Sequence, residues 1–260
     1  MSAWAENLTQ RVQVIHALIL RETRTRYGKH RLGYLWAIFE PLTFIGMISG
    51  LFYLLDRRLP FGMDPLGFLT TGMLPYLLFA KSTTQAVNAV NANSGLLYFP
   101  QVKPLDLVSA RVVLEFATTA VVFCVIMGGN SLHEGTLQID DPLRLMAGFV
   151  LASALGSSVG LMFCGLCTIY PVIHQIHGPL LRPLFWISGI WFAAEELPTP
   201  VLDILSYNPV LHVVELVRSG WFPEYRGMYA DPLYVADFIL VFLFLGLTLE
   251  RVARRRFQLS

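Results

Sequence analysis

Charge is what this chain has least of: Asp, Glu, Lys and Arg together make up 14% of its 260 residues. A soluble domain carries about 25–35% charged residues on its surface to stay dispersed, so a freely soluble globule is excluded. Cysteine is scarce too. Cys124, Cys164 and Cys167 all lie inside apolar stretches, whereas a disulfide framework needs oxidising, aqueous surroundings. Cys164 and Cys167 form a CxxC, but no His or carboxylate accompanies them there, so they read as small packing residues. Catalytic signatures are missing as well. The one Gly-Lys, Gly28-Lys29, is followed by His30, so no nucleotide-cradling GxxxxGK[ST] is present. His133-Glu134 meets Leu137 where a zinc protease needs its second His. His174 and His177 stand without further ligands nearby, which favours a loop role over metal binding. Neither an intramembrane hydrolase nor a nucleic-acid partner is expected. No cleavable signal sequence is expected either, because the first 34 residues hold six cations and no compact apolar core.

What the chain has in quantity is apolar side chains, 55% of all positions. They fall in blocks of about 15 to 28 residues, which matches a hydrocarbon core about 30 Å thick. The fold class expected is therefore an all-α polytopic membrane protein. Six spans are predicted, over residues 33–55, 66–81, 105–127, 143–170, 180–194 and 233–250; the second and fifth are short for a full crossing. Ahead of them, in residues 1–32, Leu8, Val12, Ile15 and Ile19 form an apolar stripe with Arg11 and Arg21 off it. That pattern predicts an amphipathic helix lying in the membrane surface. With the N-terminus inside, thirteen Lys and Arg fall in cytoplasmic segments against five outside, which places both termini, including the tail 251–260, in the cytoplasm. The outer loops instead collect Asp56, Asp64, Asp140, Asp141, Glu195 and Glu196. Between the last two spans, residues 195–232 exceed what a turn requires and carry a second apolar periodicity behind Asn208-Pro209. A re-entrant or interfacial pair of helices is expected there, shielded by the bundle.

Ala152, Gly156, Gly160 and Cys164 make a ridge of small residues at intervals of four, a surface for close helix approach. Its partner is either another span or a second copy. Charges inside apolar blocks are costly and tend to mark function. Glu40 in the first span reads either as paired with the preceding basic stretch or as polar lining of a pathway. Arg111 and Glu115, four apart, are expected to pair with each other. Glu215 and Arg218, three apart in the outer helix, read either as a simple pair or as a direct part of the transport path. Trp36, Phe185, Trp186, Trp191 and Trp221 suit either an interfacial belt or an aromatic-lined pathway for a carbohydrate polymer, since sugars stack their C–H faces on rings.

The stretch 21–41, RETRTRYGKHRLGYLWAIFEP, resembles the opening segment of ABC-2 type transport permeases, through residues 26–28, 32–36 and 40–41. Asn208-Pro209 followed by residues 214–218 is similar to the outer re-entrant helix of that family. The resemblance covers nearly the whole chain and is strongest to the capsular polysaccharide branch. It implies a homodimer, joined to two copies of a separate subunit that binds ATP and Mg, with no cofactor in this chain itself. It also implies a lipid-linked polysaccharide as substrate, surrounding membrane lipids, a periplasm-spanning export partner and a bacterial inner-membrane location. Coupling to the ATPase would run through the N-terminal helix and the loop 84–104, with Leu96, Leu97, Tyr98, Phe99 and Pro100 docking in the ATPase. The anionic end of the substrate would meet Arg24, Arg26, Tyr27, Lys29 and Arg31, then Trp36 and Glu40. The polymer would continue between spans one and five past Phe185, Trp186, Trp191, Glu215 and Arg218. O-antigen or teichoic acid export within the family, an ion-coupled carrier and a membrane-embedded sugar transferase are the competing readings; the near absence of acids at the membrane midplane counts against the carrier.

Overall fold

The computed structural model describes residues 3–27, 32–93, 95–96, 102–135 and 139–258. Among them are nine α-helices: α1 (Ala3–Tyr27), α2 (Leu32–Leu54), α3 (Pro65–Ala92), α4 (Pro104–Glu134), α5 (Pro142–Ile169), α6 (Ile173–Ile187), α7 (Thr199–Leu205), α8 (Pro209–Trp221) and α9 (Pro232–Gln258). Four of them start on the same two-residue signal. Asp64, Asp141, Asn208 and Asp231 each precede a proline, and each turns a side-chain oxygen back onto the first free amides, as Asp64 Oδ2 does to Gly67 N at 2.6 Å. The proline has no amide hydrogen to leave orphaned, so cap and proline together set the helix start.

At one end of the bundle, Asn130 near the end of α4 donates to Asp64 at the start of α3 (3.0 Å), and Arg57 beyond α2 reaches the Trp191 carbonyl beyond α6 (3.2 Å). At the other end, His174 at the start of α6 meets Asn88 near the end of α3 (2.8 Å). The long helices therefore run alternately up and down, and α7 and α8 lie at the Asp64 end.

By length and composition four helices can cross a membrane: Leu35–Leu54, Pro104–Glu134, Pro142–Ile169 and Pro232–Val252. The pair α7–α8, bent by 107°, raises the number to five if it counts as one span. The six expected spans are thus not all matched. The 66–81 segment is part of α3, which reaches Ala92, so residues 84–92 are helix and not loop. This helix lies in the middle of the bundle, where neighbours replace lipid. Thr70, Thr71, Ser82 and Thr83 are fully buried on it. Three of their hydroxyls return to carbonyls one turn back, such as Thr83 to Phe79 O at 2.9 Å. Buried, self-satisfied hydroxyls lower its hydropathy without facing hydrocarbon. The 180–194 segment is displaced: α6 covers 173–187 and then breaks at Gly189, whose φ of +76° is left-handed and suits glycine.

The small-residue ridge of α5 finds its partner within this chain. Gly160 lies where a Cβ would stand 2.6 Å from both Ala86 Cβ and Thr83 O of α3, and Gly156 faces Phe79 O and Ser82. Cys164 and Cys167 are buried on the same helix. One run here, Gly156-Ser157-Ser158-Val159-Gly160, does spell the Gly-x-Ser-x-Gly of a hydrolase elbow. That elbow needs a strand-to-helix turn, whereas Ser158 sits mid-helix, buried, donating to Leu155 O at 2.9 Å. It is a packing surface.

The amphipathic α1 packs on the bundle with part of its apolar stripe. Leu18, with Val14, Ile15 and Ile19, packs on Ala86 and Ala89 of α3 and on Leu107 and Val108 of α4, while Val12 points away, 65% exposed. The Leu8 side chain lies outside the described residues. Arg111 does not take Glu115 as its partner. Its Nε stands 2.9 Å from Glu22 Oε1 of α1, off-line for a hydrogen bond, and its Nη1 reaches Gln85 O of α3. Glu115, one turn on, is buried. Arg21 adds a second tie, donating to Asn93 Oδ1 at 2.8 Å. Val14, Ile15, Leu18 and Ile19 are used by the bundle, and the nearly buried ion pair fixes the register. Glu22→Arg is expected to lower the melting temperature by several degrees and open α1 to trypsin at Arg24. Adding Arg111→Glu should restore much of the loss, because a lone buried charge costs about 3–5 kcal/mol. Equal melting of the single and double variants would refute the pairing.

Candidate functional site

At the Asp64 end of the bundle, α8 carries two charges that have left solvent altogether. Glu215 and Arg218 are both 0% exposed. The i,i+3 spacing places Arg218 Nη1 3.5 Å from Glu215 Oε1, so the pair expected from spacing forms, loosely. Tyr225, on the segment between α8 and α9, donates to Glu215 Oε2. Burial, and then the neighbouring carboxylate, push the Tyr225 phenol well above its ordinary range, so it keeps the proton it donates.

The Arg218 guanidinium reaches outward to backbone. Nη2 donates to Gly189 O at 2.7 Å and Nη1 to Phe192 O at 3.2 Å, while the plane lies 4.1 Å from the centre of the Phe68 ring. Space for it comes from Gly72 of α3, where a Cβ would sit 3.0 Å from Nη2. Two carbonyls of the irregular turn after α6 are thus held by one buried cation. From the other side, Arg57, stacked 4.4 Å over Phe52, holds the Trp191 carbonyl.

What this turn carries is an aromatic ledge. Trp186 and Trp191 stack with centroids 5.6 Å apart and planes 21° apart, and Phe185 meets both edge-on at 5.5 and 5.6 Å. Tyr76 of α3 backs Phe185 at 5.2 Å. Trp186 is 64% exposed, so the ledge offers a ring face to a ligand. Among the described residues no cluster that could hold a metal ion is found. The chemistry of the ledge is stacking against flat, C–H-rich surfaces.

Phe185, Trp186, Trp191, Glu215 and Arg218 are therefore brought into one site. Trp36 and Glu40 are not. They stand exposed on α2, with Trp36 stacked on Phe39 (6.4 Å), and Phe52 lies sixteen residues further along, ~24 Å at 1.5 Å per residue. Arg24 is exposed on α1. The side chains of Arg26 and Tyr27, and the residues Lys29 and Arg31, lie outside the described residues, as do Leu97, Tyr98, Phe99 and Pro100. Leu96 is described, and it packs against the cluster beneath α1. Sequence reasoning missed Tyr225, Arg57, Phe68 and Gly72. No local pattern marks them, since each matters through a partner far along the chain.

Residues 13–222 match the ABC-2 type transporter family. The chain is 37% identical to the polysialic acid transport protein KpsM of Escherichia coli over 91% of this chain and 92% of that protein. It is 30% identical to the capsule polysaccharide export inner-membrane protein CtrC of Neisseria meningitidis serogroup B, covering 95% and 93%. It is 23% identical to the O-antigen export system permease protein RfbA of Klebsiella pneumoniae, covering 95% and 91%. By the family match over most of its length, and by these relatives, the chain belongs to the ABC-2 type transporter family.

Proposed function

We propose that this chain is the membrane permease of an ATP-driven exporter that carries lipid-linked capsular polysaccharide out of the cytoplasm across the bacterial inner membrane. The observation that carries the reading is end-to-end similarity to capsule exporters at 37% and 30% identity, against 23% for the O-antigen permease. Two copies of the chain pair with two copies of a separate ATPase, which supplies the ATP and Mg site; a periplasm-spanning partner receives the polymer. The chain crosses the membrane six times with both termini cytoplasmic. Its second and fifth crossings are α3, shielded on all sides, and α6, while α7–α8 is a re-entrant pair. The lysine and arginine distribution supports this orientation.

In this arrangement the aromatic ledge stands on the outer side and gives the passing sugars a stacking surface. The basic stretch containing Arg24, Arg26, Lys29 and Arg31 meets the anionic lipid end in the inner leaflet. The loop between α3 and α4 docks in the ATPase through Tyr98 and Phe99. The double variant Tyr98→Ala, Phe99→Ala is expected to assemble and hydrolyse ATP while exporting little polymer; normal export would remove the docking role.

Deletion of the gene tests the whole reading. Capsular polymer collecting in the cytoplasm while synthesis continues supports it. Normal surface polymer with nothing accumulated would leave a permease for a different, smaller amphiphile.

A further inference from the structure

Between the starts of α5 and α9, beside the segment that follows α8, lies a cleft of about 370 Å³. Leu143 and Arg144 of α5, Leu216 and Ser219 of α8, Arg226 of the connecting segment and Pro232 of α9 line it. Leu216 and Ser219 are buried, and the Ser219 hydroxyl already donates to Leu216 O at 3.1 Å. The charged side chains of the lining are both arginines, and no carboxylate is among them.

The nearest carboxylates along the chain have other work. Asp141 Oδ1 caps α5, and Asp231 Oδ1 caps α9. Asp141 Oδ2 also stands 3.3 Å from Arg144 Nε, an exposed contact of little strength. One such contact leaves most of the five N–H donors of a guanidinium open. Arg226 is exposed and, among the described residues, has neither a hydrogen bond nor an ion pair. Two cations on one cleft repel each other, and an anion between them turns that repulsion into attraction.

Depth decides which anion. Both α5 and α9 are long and apolar enough to cross a membrane, and both begin at this cleft. The cleft therefore lies at a membrane boundary whichever way the chain is inserted. Leu143 and Met146 of α5 and Leu233 of α9 stand exposed around it, as side chains facing hydrocarbon do. A ligand that meets those side chains and both arginines carries a charge at the head of an apolar body. None of α2, α3 and α6, along which the polymer and the second copy are placed, contributes to the lining.

We propose that this cleft binds the phosphodiester of an anionic membrane phospholipid between Arg144 and Arg226. Guanidinium forks match phosphate oxygens in geometry as well as charge. Phosphatidylglycerol is the preferred class, because the headgroup of phosphatidylethanolamine brings an ammonium to two cations. Arg226 follows Tyr225, so the bound headgroup holds the segment whose tyrosine donates to Glu215. The site rests on helices of membrane length and not on the identity of the exported polymer.

The test is native mass spectrometry of the full-length chain, delipidated in detergent and titrated with phosphatidylglycerol or phosphatidylethanolamine. The first phosphatidylglycerol is expected to bind several-fold more tightly than the first phosphatidylethanolamine. Arg144→Gln and Arg226→Gln should each weaken it about tenfold, the scale of one charge-assisted hydrogen bond. Arg58→Gln, which removes an exposed arginine outside the cleft, should leave it unchanged. Arg226 holds no other part of the chain, so its variant decides the matter where Arg144→Gln fails to fold. An equal loss in Arg58→Gln, or no loss in Arg226→Gln, identifies general attraction to surface charge and overturns the site. Displacement of the lipid by inorganic phosphate at equal concentration assigns the cleft to a free oxyanion and overturns the lipid. Dissociation of a dimer by Arg226→Gln would place an acid of a second copy there and overturn it equally.

Discussion

Arg218→Ala is expected to abolish transport and to cost the fold about 3–5 kcal/mol, the penalty for leaving a buried charge without its partner. Two losses coincide. Glu215 loses its cation and keeps the Tyr225 hydroxyl and the Ala194 backbone, and the Gly189 and Phe192 carbonyls lose the donors that fix the turn after α6. Trp191 sits on that turn, so its stacking on Trp186 should loosen. The measurement is the melting temperature of the purified chain together with its near-ultraviolet circular dichroism, where stacked indoles give a distinct signal. Arg218→Lys sharpens the result. Lysine keeps the charge but offers a single ammonium in place of a planar fork, so it cannot hold both carbonyls as arginine does. It should retain much of the stability and lose the stacking signal. An Arg218→Ala protein with unchanged melting and unchanged dichroism would show that the turn is held by something else.

The second large effect concerns α3 against α5. Gly156→Val should prevent a stable bundle, because even a Cβ at this position runs into the Phe79 carbonyl and comes within 2.9 Å of Ser82 Cβ. A flexible neighbour could yield, but a helix carbonyl can move only if the helix moves. Overpacking of this kind costs about 1–3 kcal/mol where side chains can adjust, and more where backbone must shift. The expected outcome is poor membrane accumulation and early melting in detergent. Gly156→Ala, with the smallest increment, should lie between. Normal accumulation of the valine variant would mean that α3 and α5 are further apart than described.

The helix starts were open to reading, because Asx-Pro is a local signal that needs no distant partner. The span positions of α2, α4, α5 and α9 were legible for the same reason: apolar runs facing lipid record their environment in their own composition. The segment of α3 between residues 66 and 92 was harder. Its surroundings are other helices, so buried threonines and an asparagine-containing end replace the leucines a lipid-facing span would show. The two charge pairs make the same point from opposite sides. Glu215 and Arg218 are neighbours on one helix face and spacing found them. Arg111 had an equally good local candidate in Glu115, yet Glu22 lies on α1 and only the packing of α1 on α4 brings it near. Of the ledge, Phe185, Trp186 and Trp191 were visible as rings near a span end, and Arg218 as the partner of Glu215 on the polymer's path, but not as the cation that holds the turn beneath the rings.

The composition of α3 has a consequence for how the chain is made. With α3 as a crossing, its eighteen-residue windows fall below the hydropathy that qualifies α2, α4, α5 and α9. A segment of that kind gains little by leaving the insertion machinery alone, whereas its glycine-facing surface is packed once α5 lies against it. Biogenesis then cannot proceed strictly one helix at a time. The ribosome must deliver about eighty further residues, through the end of α5, before α3 has the protein neighbours it requires. Until then its retention by the translocation channel or a membrane chaperone, and not its own partitioning, keeps the topology.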